Sequence, residues 1–158
     1  MRYLKTFLLV LAGFIFMGWG TKEPKLTEGI QPGNLAPKIG QEAGFNGKNY
    51  VLLQFWAARD ANSRAANALM HNVITKMDSA RIQMISVSLD ENRAVYEGVI
   101  RADNLNPATQ FNAPEGKNSE IWRKYRLNNG FGNWLIDGNG VIVAKNLRPE
   151  QIAARFAE

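Results

Sequence analysis

Tyr50-Val51-Leu52-Leu53-Gln54-Phe55-Trp56-Ala57-Ala58-Arg59-Asp60-Ala61-Asn62-Ser63-Arg64 is the stretch on which the fold turns. Its first eight residues are almost continuously apolar and rich in aromatic and β-branched types, the pattern of a strand covered on both faces. The polar residues that follow include three good helix caps, Asp60, Asn62 and Ser63. Beyond them Ala66, Leu69, Met70, Val73 and Met77 fall on one helical stripe, so the strand leads directly into an amphipathic helix. In that register Asn67, His71, Thr75 and Asp78 lie towards the polar side, and His71, the chain's single histidine, is expected to be exposed.

Downstream, Gln83-Met84-Ile85-Ser86-Val87-Ser88-Leu89 reads as a second strand in which Ile85, Val87 and Leu89 alternate with serines. Asp90 is expected to cap a helix running to about Asp103, with Val95, Val99 and Ala102 on one face. Residues 106–117, holding Pro107, Pro114 and Gly116, read as loop. Asn118 or Ser119 opens a helix bearing Ile121, Trp122 and Tyr125. Trp134-Leu135-Ile136 and Val141-Ile142-Val143 flank Asp137-Gly138-Asn139-Gly140, a strong hairpin signal. Pro149 starts a last helix with Ile152, Ala153 and Phe156. The early strand–helix–strand unit implies a parallel pair, and the hairpin adds antiparallel strands. The expected fold class is α/β, a central mixed sheet with helices on both faces.

The N-terminus reads as a separate object. Arg2 and Lys5 precede an apolar run from Thr6 to Trp19, too short to span a bilayer comfortably but the right size for a secretory core. Gly18 and Gly20 put small side chains at −3 and −1 of a cut before Thr21. Residues 1–20 are therefore expected to be a signal peptide or N-terminal anchor, and Trp19 beside the cut keeps the anchor open. Residues 21–48, rich in Gly, Pro, Lys and Glu, read as tether and lead-in, and 49–158 as the domain. The leader implies an exported protein, periplasmic or associated with the cell envelope.

Composition narrows the chemistry. With 46% apolar and 21% charged residues the chain is of the globular class. Its net charge of +5 is spread without a basic block, so nucleic acid is not an expected partner, and a membrane is one only if the leader stays uncut. There is no cysteine. That excludes a lipid-modified N-terminal Cys, thiolate metal sites and any mechanism using the protein's own thiols. One histidine without clustered carboxylates makes no metal site, and no cofactor is implied.

The order of elements and several local motifs resemble the thioredoxin-like superfamily, in particular its exported bacterial thiol–disulfide interchange and cytochrome-maturation branch. Members commonly read V-L-L-x-F-W-A-x-W-C-x-x-C-R where this chain reads Val51 to Arg64. The resemblance puts Asp60 at the attacking Cys, Ser63 at the resolving Cys and Arg59 at the usual Trp. Val87-Ser88-Leu89-Asp90-Glu91 is similar to the family's second strand and helix start. Gly116, Ser119, Ile121, Tyr125 and Leu127 match its G-x-x-S-x-I/V-x-x-x-Y-x-V segment. Trp134-Leu135-Ile136-Asp137 is similar to F-L-I-D, and Phe131 stands where the cis-proline usually lies.

These replacements remove the family's reaction. Disulfide exchange needs a thiolate at each step, and a carboxylate is a poor nucleophile towards sulfur. Asp60 is expected to cap the helix, and Ser63 is a second candidate cap. A serine nucleophile needs a base within reach, and His71 lies about two turns away. The peptide before Phe131 is expected to be trans, because a cis bond at a non-proline residue costs about 2.5–4 kcal/mol. Phe131 either serves an altered polypeptide-binding loop or packs under Arg59 and Trp56. Three functions follow. The first is a redox-inactive binding or scaffold module that takes a polypeptide partner on Trp56, Arg59, Asp60, Phe131 and Asn133. The second is a repurposed enzyme with Asp60 as general base. The third is an oxidoreductase whose partner supplies the thiols.

Overall fold

The structure, a computed structural model, describes residues 25–39 and 49–157. The leader expected at 1–20 lies outside the described residues, among which no helix is long and apolar enough to cross a membrane. Five strands form one sheet in the order β3-β2-β1-β4-β5. β1 (Tyr50–Trp56) and β2 (Ile82–Ser88) are its parallel centre, with Tyr50 opposite Ile82 and Trp56 opposite Ser88. β3 (Gln110–Asn112) adds a short parallel edge, while β4 (Asn133–Ile136) and β5 (Ile142–Lys145) are antiparallel. The mixed α/β sheet is the one the sequence leads one to expect.

β1 is buried from Val51 to Trp56 because helices cover both its faces. Leu52 faces α1 (Ala61–Ile74) and α4 (Pro149–Phe156), packing with Met70, Ile74, Leu135 and Ile152. Trp56 lies further along that face, under α2 (Arg93–Ala102), against Val99, Ile100 and Leu105. Leu53 and Phe55 point the other way, into an aromatic cluster with Tyr125 and Trp134, onto which α3 (Glu120–Lys124) lays Ile121 and Trp122.

The lead-in contributes to this second core. Ile30 and Ile39 pack on it, the Tyr125 hydroxyl donates to Pro37 O at 2.7 Å, and Trp134 Nε1 donates to Ile30 O at 3.1 Å. Burial pushes the Tyr125 phenol far above its ordinary pKa. The hairpin closes as its residues require: Asp137 Oδ1 accepts from Asn139 N and Val141 N, and Gly140 takes a positive φ of 82°.

Three expectations need correction. First, α1 is rotated from its apolar stripe. Leu69 is 56% exposed, whereas Asn67 and His71 are buried. Polar partners on neighbouring elements make this rotation possible: Ser86 Oγ donates to Asn67 Oδ1, Asn67 Nδ2 donates to Gln110 Oε1, and Asn106 N donates to His71 Nε2. Periodicity ranks side chains by apolarity and cannot register partners that arrive from another strand.

Second, Asn92, not Asp90, caps α2, accepting from Ala94 N and Val95 N. Val95, placed on the inner face by its spacing, is 44% exposed, Ala102 is exposed as well, and Val99 and Ile100 do the packing. Third, 106–117 is not all loop. A 3₁₀ turn at Pro107–Thr109 runs into β3, and a second spans Gly116–Asn118. Three residues are too few for a strand pattern to show.

Burial of His71 has a measurable consequence. Desolvation lowers its pKa, so between that value and the ordinary one of about 6.5 the unfolded chain binds more protons than the native one. Stability then rises with pH across that window and is lost as pH falls through it. NMR titration is expected to place His71 below its ordinary value, and His71→Gln to flatten the pH dependence of unfolding just below neutrality. A His71 titrating at or above the ordinary value contradicts this.

Candidate functional site

The site is built where the two central parallel strands end. After Trp56 the chain turns, Asp60 N donating to Ala57 O at 3.0 Å. Asp60 is the N-cap of α1, in extended backbone, its Oδ1 accepting from Ser63 N at 2.7 Å. Ser63 is not a cap. Its hydroxyl, buried at the third helical position, donates to Asp60 O at 3.1 Å and accepts from Ala57 N at 3.3 Å. The two residues close the turn by bonding to each other and to the backbone.

Asp90, just beyond β2, holds the same turn from the other strand. Its carboxylate accepts from Ala58 N at 2.9 and 3.1 Å and from Ser88 Oγ at 2.7 Å, and Asn112 Nδ2 donates to its carbonyl at 2.8 Å. Leaving a buried polar group of this kind unbonded costs about 1–3 kcal/mol. The residue expected to start α2 instead anchors the loop that presents Arg59 and Asp60.

Across from this turn lies the segment entering β4. Gly132 O accepts from Phe55 N at 3.0 Å, so the segment continues along β1. Gly130 has φ 113°, a conformation that favours glycine, and a Cβ at Gly132 would sit 2.4 Å from Asn146 Oδ1, so that side chain would have to shift. The peptide before Phe131 is trans, as expected. Phe131 is half-buried and meets Trp122 edge-on, with ring centroids 6.0 Å apart at 83°. Between these parts lies an open cleft of about 530 Å³, lined by Arg59, Asp60, Lys117, Trp122, Leu127, Asn128, Gly130 and Phe131.

The structure therefore brings together three of the five residues expected on this surface: Arg59, Asp60 and Phe131. Trp56 and Asn133 are not there. Trp56 is fully buried with Tyr96 6.3 Å away, since its position on β1 points it beneath α2. Asn133 is buried and ties β4 to the segment before α4, donating to Leu147 O and accepting from Leu147 N, both at 2.9 Å. Nor does Phe131 fill a pocket under Trp56. It stands beside Trp122. Sequence reasoning missed Lys117 and Trp122 as site residues, because only the tertiary packing of the 3₁₀ turn at Gly116–Asn118 and of α3 brings them to the cleft.

The geometry offers no acid–base pair. The Asp60 carboxylate is engaged by a backbone amide and the Ser63 hydroxyl by backbone groups, with no base on it. His71 lies further down α1, about 12 Å from Ser63 at 1.5 Å per residue. Among the described residues no group of three His, Asp or Glu gathers as a metal site requires.

A family described as thioredoxin-like matches residues 47–143. The chain belongs to the thioredoxin-like family. Its fold is shared with a thioredoxin-like protein from Parabacteroides distasonis, which is 43% identical over 85% of this chain and 100% of that one, at a TM-score of 0.82. A thiol-disulfide oxidoreductase of Bacteroides fragilis is 26% identical over 68% of this chain and 79% of its own, at a TM-score of 0.57. A secreted disulfide oxidoreductase of Mycobacterium tuberculosis, 18% identical over 73% and 84%, shares the fold at a TM-score of 0.58. Among curated proteins none matches the chain in sequence. This thioredoxin-like domain is thus related to thiol-disulfide oxidoreductases, yet carries no cysteine with which to act as one.

Stability measurements separate core from site. Trp56→Ala is expected to cost about 3–5 kcal/mol, the usual effect of emptying a buried aromatic position, and Phe131→Ala clearly less because its ring is half-exposed. Asp60→Ala should cost about 1 kcal/mol as a lost cap, with Asp60→Asn largely neutral. Urea unfolding reads all four. A Phe131→Ala variant as damaged as Trp56→Ala would place Phe131 in the core.

Proposed function

We propose that this chain is an exported, redox-inactive binding module that takes a polypeptide partner in the cleft beyond β1. One observation carries the reading. The positions matched to the two catalytic thiols hold Asp60 and Ser63, bonded to each other, while the cleft above them stays open, with aromatic and cationic walls. A cluster of large aromatic side chains with an exposed arginine is the composition of an interaction surface. The leader pattern of residues 1–20 supports export.

Kinship with the Bacteroides fragilis oxidoreductase favours a second reading, in which the fold assists a partner that brings both thiols. Two experiments separate the readings. The purified protein is expected to show no thiol-dependent reduction of insulin, and any turnover overturns redox inactivity. Crosslinking capture from the native cell envelope is expected to return partners with the wild type and to lose them with Arg59→Ala/Phe131→Ala. An unchanged partner set rejects the cleft as the binding surface. Asp60→Cys/Ser63→Cys/Phe131→Pro then asks whether the scaffold still supports exchange. Recovery of insulin reduction is expected if only the side chains have been lost.

A further inference from the structure

We infer that the cleft selects an acidic polypeptide segment carrying a large apolar side chain. This rests on the binding reading above and adds the chemistry of the partner. Two cationic side chains line the cleft from different elements: Arg59 from the turn before α1, and Lys117 from the 3₁₀ turn at Gly116–Asn118. Arg59 is exposed and has no hydrogen bond or ion pair among the described residues. Lys117 places its ammonium 5.9 Å from the Trp122 ring centroid, leaving its donors free for a ligand.

The one carboxylate in the lining does not cancel them. Asp60 accepts from Ser63 N at the start of a 14-residue helix, whose N-terminal partial positive charge faces it. Two further acids lie near these elements. Glu120 pairs with Lys124 at 2.9 Å, and Glu91 lies against Gly116, where an added Cβ would come within 2.7 Å of its side chain. Gly116 has a φ of 54°, which favours glycine at the start of the turn that holds Lys117.

Beside these cations the half-buried Trp122 and Phe131 rings, edge to face, form an apolar step. A ligand matched to this surface presents a carboxylate to the Arg59 guanidinium, a second to Lys117, and a ring or branched side chain to the aromatic step. Two cations and no basic block suit a short acidic peptide better than the regular phosphates of a nucleic acid.

The probes are three fluorescein-labelled decapeptides, read by anisotropy: Glu/Ser with a central Phe, Lys/Ser with a central Phe, and Glu/Ser with Ser at the centre. The first is expected to bind at least about tenfold more tightly than either of the others, with affinity falling as salt rises. Its binding should also shift the Trp122 indole NMR signal. Arg59→Glu/Lys117→Glu, both at the surface, should reverse the preference towards the Lys peptide, with circular dichroism confirming the fold. Equal binding of all three peptides, binding of none, a salt-independent affinity, or equally tight binding of single-stranded oligo-dT overturns the inference. If the envelope partners depend on Phe131 and Arg59 while the peptides are not told apart, the binding surface stands and its acidic preference falls. If neither depends on these residues, both fall.

Discussion

The buried carboxylate of Asp90 is the contact on which the site depends. Parallel strands end with backbone amides that point beyond the sheet, and at the end of β1 these must be satisfied before a helix can start. Asp90 takes the Ala58 amide with both oxygens and the Ser88 hydroxyl with one, and Ser63 takes the Ala57 amide. The ends of the two central strands are thereby joined through a side chain that has almost no access to water. An unpaired amide or carboxylate there would carry the full cost of desolvation. With the turn held on both sides, Arg59 projects outward and Asp60 is left in the extended geometry a cap needs.

The same economy of polar groups explains the two faces of the sheet. On one, α1 covers the strands with a polar seam, Asn67 reaching Ser86 and Gln110, and this lets Ser86 sit fully buried in β2. On the other, Phe55, Tyr125 and Trp134 pack with centroids 4.8–5.6 Å apart, and the two rings with polar atoms hand them to carbonyls of the lead-in. The lead-in is thus part of the core's hydrogen-bonding scheme. By covering this face, α3 also carries Trp122 to the rim of the cleft, so core packing and the proposed binding surface share one element.

Without thiols, the turn before α1 is closed by Asp60 and Ser63. A cysteine pair at a helix N-terminus uses the unpaired amides and their field to hold a thiolate. Asp60 uses the same amides for a hydrogen bond, and Ser63 turns its hydroxyl back to the turn. Both side chains are thus spent on closing the turn and capping the helix.

Much of this was legible in the residues themselves. β1 and its helix, the hairpin at Asp137–Gly140, the final helix at Pro149 and the family resemblance all rest on local patterns: apolar runs, caps, turn glycines and fixed motif spacing. So does the absence of thiol chemistry, because composition alone decides it. What needed the tertiary structure was every feature set by a partner distant in sequence. Asn67 and His71 are buried because Ser86, Gln110 and Asn106 meet them, Trp56 is hidden because α2 crosses it, and Asn133 is turned inward by Leu147. Lys117 and Trp122 join Arg59 and Phe131 only through the packing of the 3₁₀ turn at Gly116–Asn118 and of α3. Local sequence specifies backbone preference within a few residues, whereas side-chain surroundings follow from which elements the sheet order brings side by side.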